Sequence, residues 1–148
     1  MADNRTVALE LFDKGYNCAQ AVFCALSEDC GVSPEMALRL TNGFGGGIRY
    51  GDTCGAVSGA IMAIGMKCGF HVEKDFVQKG YCNRKTVEFL EKFKQECGST
   101  LCREILGCDI YTPEDHFRPE VREMQKIICP KAVSAAFRVL ESMDFEQK

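Results

Sequence analysis

The sequence predicts an all-α fold of about six to eight helices arranged around a glycine-rich loop. Three observations predict it. Apolar residues recur at helical spacing along most of the chain, and no run alternates apolar and polar residues with the period of two that marks a strand. Capping residues and glycines punctuate the apolar segments where helices would start and stop. No fixed-period repeat, low-complexity tract or Pro/Ser-rich linker interrupts the chain, so residues 1–148 are read as a single domain.

Arg5 to Lys14 carries Val7, Ala8, Leu11 and Phe12 on one helical face, and Gly15 ends it. Asn17 caps a second helix with Cys18 at its first position, followed by Ala19, Ala21, Val22, Phe23, Ala25 and Leu26. Cys30-Gly31 stops that helix. Ser33-Pro34-Glu35 is a third start, with a cap, a proline at the first helical position and an acid in the first turn. Met36, Ala37 and Leu40 are its expected buried face.

The loop follows. Seven of the seventeen residues from Gly43 to Gly59 are glycine. Ile48-Arg49-Tyr50 is the one short piece expected to be extended. Asp52 or Thr53 then caps a helix from Cys54 to about Lys67, with Gly55, Gly59 and Gly65 inside it. A glycine costs a helix about 1 kcal/mol against alanine, so close approach of a backbone or a cofactor is the expected return. Lys74 to Glu96 is the longest periodic segment, with Phe76, Val77, Val87, Phe89, Leu90 and Phe93 as its buried side and a break expected near Gly80. Gly98 terminates it, and Ser99 caps a short helix, Thr100 to Leu106, with Cys102 in the first turn. Thr112-Pro113-Glu114-Asp115 opens one further turn, Pro119 to Ile128 another helix, and Cys129-Pro130 the last.

A net charge of −3 and the absence of a basic tract argue against nucleic-acid and anionic-membrane partners. The longest apolar stretch, Ile61 to Met66, is too short to span a bilayer, and the first residues lack the pattern of a signal peptide. A cytoplasmic location is therefore expected. In a reducing compartment, ten cysteines in 148 residues point to metal ligands, redox thiols or small buried residues rather than to structural disulfides.

There is no C-x-x-C anywhere, so any metal site must be assembled from distant segments. Position is more informative than spacing. Cys18, Cys54 and Cys102 fall in first turns and Cys129 at a helix start before a proline. Unpaired N–H groups and the positive end of the helix dipole favour thiolate there. Four such thiolates suit a tetrahedral ion or an iron–sulfur cluster; thiol–disulfide chemistry without metal and plain burial are the competing readings. Core packing is expected of Cys24, Cys30, Cys68, Cys82 and Cys97, while Cys108 is a candidate resolving thiol or fifth ligand. The glycine loop invites a phosphate cradle, but no G-x-x-x-x-G-K-[ST] pattern supports it. Arg49 is a candidate partner for an anionic cluster or a partner carboxylate. His71 and His116 are isolated and read as surface or satisfied histidines.

Taken in order, Tyr16-Asn17-Cys18-Ala19-Gln20-Ala21-Val22, Gly43-Phe44-Gly45-Gly46-Gly47, Cys54-Gly55-Ala56-Val57-Ser58-Gly59, Cys102-Arg103-Glu104-Ile105-Leu106-Gly107 and Cys129 resemble the C_GCAxxG_C_C family of redox-active proteins, over about residues 5–140. The resemblance places the family's four signature cysteines on Cys18, Cys54, Cys102 and Cys129. A similar domain in split-Soret cytochromes implies an iron–sulfur or electron-transfer role, without their covalent haem, because C-x-x-C-H is absent. The expectation is a 2Fe–2S or 4Fe–4S cluster, or zinc as the alternative, on those four thiols. Gly45, Gly46, Gly47 and Gly55 would let backbone N–H groups approach it. The protein partner would be an unidentified redox protein, and a homodimer is expected from the small-residue helix Ala56 to Gly65.

Overall fold

The computed structural model describes residues 2–145. Seven α-helices occur among them: α1 (Ala2–Asp13), α2 (Cys18–Leu26), α3 (Pro34–Thr41), α4 (Gly55–Cys68), α5 (Phe76–Cys97), α6 (Cys102–Leu106) and α7 (Pro119–Ser142). Short single turns lie at Asn42–Phe44, Gly47–Gly51 and Pro113–Phe117. The described residues hold no β-strand, only an isolated antiparallel bridge between Thr53 and Leu101. The fold is all-α, as the sequence predicts.

Two small-residue helices make the centre. Nearly every residue of α2 is buried, and α4 buries Gly55, Ala56, Val57, Gly59 and Ala60 against it. A β-carbon on Gly59 would lie 2.8 Å from the Ala19 carbonyl oxygen, and one on Gly55 would lie 2.9 Å from the Ala19 nitrogen. The helices therefore meet backbone to backbone, which answers why α4 tolerates glycines at these positions. Around this pair, α5 contributes the stacked rings of Phe89 and Phe93, 5.8 Å apart, and α7 contributes Phe137. Each is fully buried, and truncating any one to alanine would cost about 3–5 kcal/mol. Ion pairs Arg5–Glu141 and Arg138–Glu96, both 3.2 Å, tie α1 and α5 to α7 at the surface.

A second, smaller apolar cluster lies beside the main one. It consists of Cys102, Leu106, Ile110 and Val121, with Met124 and Ile128 packed on it. Cys18 and Cys54 belong to the main cluster, Cys102 belongs to the smaller, and Cys129 packs against both. The signature cysteines thus lie along the seam between two cores.

Several local expectations are corrected. Met36 and Leu40 are exposed; α3 instead buries Ala37 and Thr41, whose hydroxyl donates to the Ala37 carbonyl at 2.7 Å. Phe76, Val77 and Val87 are exposed, while Tyr81, Cys82, Phe89, Leu90 and Phe93 are the side of α5 that meets the core. Gly80 does not break α5. Cys54 is itself the N-cap residue of α4, since the Asp52 side chain pairs with Arg103 at 2.9 Å instead of capping. Leu101, not Ser99, is the N-cap residue of α6, and the Ser99 hydroxyl accepts the Leu101 N–H at 3.0 Å. Pro130 lies inside α7, which runs unbroken through Cys129. An internal proline costs a helix about 3 kcal/mol, but Ala132, Val133, Ala136 and Phe137 continue the buried stripe and hold the helix together. Cys129 is therefore not at a helix start. Finally, Ile48 and Arg49 are not extended but left-handed, at φ 54° and 66°.

Candidate metal or redox centre

Each signature cysteine is presented by a different local device. Cys18 opens α2 behind a complete capping box, in which the Asn17 side chain accepts the Gln20 N–H at 2.9 Å and the Gln20 side chain accepts the Asn17 N–H at 3.0 Å. Cys54 and Cys102 are set side by side by two crossing backbone bonds: the Cys54 N–H donates to the Thr100 carbonyl at 2.8 Å, and the Cys102 N–H donates to the Asp52 carbonyl at 2.6 Å. These bonds flank the Thr53–Leu101 bridge and fasten the start of α4 to the start of α6. Arg103 locks the same junction, donating to the Tyr50 carbonyl and the Asp52 carboxylate while its guanidinium stacks 4.5 Å from the Tyr111 ring. Cys129 arrives from the middle of α7.

The result is one cavity of about 250 Å³ lined by all four thiols. Phe12, Ile105, Leu106, Ile128 and Ala132 give it apolar walls; Asn17, Arg49 and Gln125 are its polar groups. Of the four glycines expected at a cofactor, Gly46 and Gly55 line this cavity and Gly45 and Gly47 do not. A β-carbon on Gly45 would meet the Asn17 side chain, and one on Gly47 would lie 2.8 Å from the Cys102 β-carbon. The loop between them is unusual. Gly46, Gly47, Ile48 and Arg49 are four consecutive residues with φ between 54° and 66°. The turn closes where the Asp52 N–H donates to the Gly47 carbonyl at 2.9 Å. Left-handed backbone costs a non-glycine residue roughly 1–2 kcal/mol, so the two side chains Ile48 and Arg49 are held there against strain.

The thiols feel one another. Cys18 is raised well above the usual thiol range, first by its hydrogen bond with Cys129, then by burial and by the other three sulfurs. Cys129 is lowered by the same hydrogen bond. Burial pushes Cys54 up to about 12, opposed by the nearby backbone N–H groups of Ala56 and Val57. Burial and the neighbouring Cys54 and Cys129 push Cys102 up to about 12. Helix-end donors are present at Cys54 as the sequence suggests, yet burial outweighs them. The lowered thiol, Cys129, owes its shift to Cys18 rather than to a helix dipole.

Four soft donors in an apolar cavity fit the chemistry of iron–sulfur ligation. Among the described residues, no three cysteine, histidine or acidic side chains stand close enough to hold one metal ion. Thiolates sharing a single zinc at 2.3 Å would lie within about 4 Å of one another. In a multi-iron cluster the ligands are spread over separate irons.

His116 was not foreseen as part of this region. It is 4% exposed; its Nδ1 accepts from the Gln125 side chain at 3.2 Å, and its buried Nε2 has no hydrogen-bond partner. The ring lies where a β-carbon on Gly46 would be, which explains that glycine. Burial and the nearby Arg49 guanidinium hold its imidazole below the usual histidine range. Nothing in the spacing around His116 signalled this, because its partners come from the loop and from α7. Cys108 does not line the cavity; its thiol donates to the Leu106 carbonyl at 3.6 Å.

No curated protein and no solved structure shows significant similarity to the chain. A family model described as "Putative redox-active protein (C_GCAxxG_C_C)" matches residues 16–143. That span contains all four cavity cysteines and the loop, and the chain belongs to the C_GCAxxG_C_C family.

Proposed function

We propose that the protein is an electron-transfer protein that holds an iron–sulfur cluster on Cys18, Cys54, Cys102 and Cys129. The observation that carries this reading is the convergence of four thiols, from α2, α4, α6 and α7, on one apolar cavity. When bound, such a cluster supplies one-electron chemistry. The chain's own residues do the rest. The Ala56 and Val57 N–H groups lie near the Cys54 sulfur and favour its thiolate, and donors beside a ligand sulfur raise a reduction potential. Phe12, Ile105 and Ile128 limit water, and Arg49 sets a cation against the charge of four thiolates.

Four cysteines suit a 2Fe–2S or 4Fe–4S cluster, with zinc as the alternative. The test is anaerobic purification followed by visible absorption and iron and sulfide analysis. Stoichiometric iron and sulfide with charge-transfer absorption is expected. A colourless protein that stays iron-free after cluster reconstitution would overturn the reading, and tightly held zinc in its place would make this a zinc-stabilised interaction module.

One observation favours a second reading. Cys18 and Cys129 line the same cavity, and their interaction raises one thiol and lowers the other, as in a cycling dithiol. Reversible disulfide formation between them in metal-free protein, read by alkylation and mass spectrometry at controlled redox poise, distinguishes a thiol–disulfide oxidoreductase or sensor. Among the described residues, no helix is long and apolar enough to cross a membrane. A cytoplasmic location, a separate redox protein as partner and a homodimeric state complete the proposal.

A further inference from the structure

A second pair of cysteines makes contact far from the cavity. Cys68 ends α4, and Cys82 lies in the second turn of α5. Both pack in the main apolar cluster, where the end of α4 meets α5 through the side chain of Gln78, one turn before Cys82. Cys54 and Cys68 mark opposite ends of α4, roughly 20 Å apart at 1.5 Å per residue. The second pair therefore takes no part in the four-thiol site.

The surroundings suit thiol chemistry. Cys68 is buried, and its thiol donates to the Ile64 carbonyl at 3.3 Å. Cys82 is only half-buried, so it is the sulfur a small reagent reaches. The side chain of Gln78 donates to the Cys68 carbonyl at 2.6 Å and holds the start of α5 against the end of α4. Lys67 and Lys85 both lie near Cys68 and favour its ionisation, with their ammonium groups 5.2 and 5.7 Å from the Phe145 ring. Burial, ahead of the Cys82 thiol, nevertheless pushes Cys68 up to about 12.

The geometry points to a second, independent redox site: Cys68 and Cys82 form a dithiol that closes to a disulfide on reaction with a small-molecule disulfide, fastening the end of α4 to α5. In the first step the Cys82 sulfur attacks one sulfur of the reagent RSSR, forming a mixed disulfide and releasing one thiol, with the Cys82 proton passing to the leaving group. In the second, the Cys68 sulfur attacks the Cys82 side of the mixed disulfide and releases the second thiol. Two cysteine thiols are oxidised, one RSSR is reduced to two RSH, and atoms and electrons balance. The closed ring spans the exposed connection that carries Phe70 and Val72.

Trypsin isolates both sulfurs, because residues 68–74 and 80–84 each form a peptide with a single cysteine. The folded full-length protein is treated with oxidised glutathione, quenched in acid, alkylated and digested. The expected product is the 68–74 peptide linked to the 80–84 peptide, with restoration of the two alkylated peptides after dithiothreitol. Glutathione retained on Cys82 without ring closure, either sulfur linked to a different cysteine, or both peptides recovered alkylated would each overturn the proposal. A second readout is thermal. Closing a loop of this size should raise Tm by roughly 5–10 °C. Cys82→Ser, at a half-buried position, should abolish that rise; an equal rise in the variant would also overturn it.

Discussion

The two ends of α4 carry the same residue in different surroundings. At the N-terminal end Cys54 lies near the backbone N–H groups of Ala56 and Val57. At the C-terminal end Cys68 donates to the Ile64 carbonyl. Burial pushes both thiols up to about 12, but the first lies among three other sulfurs and the second beside a single partner. The glycines differ in the same way. Gly55 and Gly59 press against the α2 backbone, while a β-carbon on Gly65 would meet nothing within 4 Å. One helix therefore joins a buried four-thiol cavity to a peripheral thiol pair, and cysteine alone distinguishes neither.

Substitutions at the two ends give the sharpest break. Cys54→Ser is expected to remove nearly all iron from anaerobically reconstituted protein, whereas Cys68→Ser should leave the iron content unchanged; equal loss in both would erase the distinction. Next in size, Gly55→Ala forces a β-carbon to 2.9 Å from the Ala19 nitrogen and 3.2 Å from the Cys18 β-carbon. It should destabilise the protein by about 1–3 kcal/mol in urea unfolding. Gly65→Ala on the same helix should be neutral or stabilising by up to about 1 kcal/mol.

Alkaline pH should act on the cavity end of the metal-free protein. Cys54 and Cys102 ionise at 9.0 when unfolded and about 12 when folded. Unfolded chains release those protons first, so stability contributed at lower pH is lost as pH climbs from 9.0 toward about 12, and thermal melts in that window should fall. The smallest effect is kinetic. Among the four cavity thiols Cys129 is half-buried and lowered by Cys18, so iodoacetamide should label it before Cys18, Cys54 or Cys102 in metal-free protein near pH 8.

The helices and Cys18, Cys54 and Cys102 were legible because caps and periodicity are local, whereas Cys129 was read as a helix start that α7 does not have. Asn17, Ser33-Pro34 and Gly98 mark boundaries that the chain obeys. What was hidden depends on distant partners. Pro130 reads as a break until the stripe from Ala132 to Phe137 is seen packed on the core. Phe76 and Val77 read as buried because periodicity cannot tell that no helix lies opposite. The left-handed turn escaped notice because Ile48 and Arg49 are residue types that normally refuse it. His116 and the Cys68–Cys82 contact needed the fold to bring their partners together.

The turn from Gly46 to Arg49 also sets two kinds of selection against each other. Glycine would take the backbone of Ile48 or Arg49 without strain. A screen that rewards only heat resistance would therefore tend to strip side chains from these two positions. The Arg49 guanidinium, at the cavity wall, would be among the first groups discarded. A lineage that keeps both side chains is selected for something other than stability, and a thermostabilised variant of this protein should be checked at residue 49 before its redox behaviour is compared.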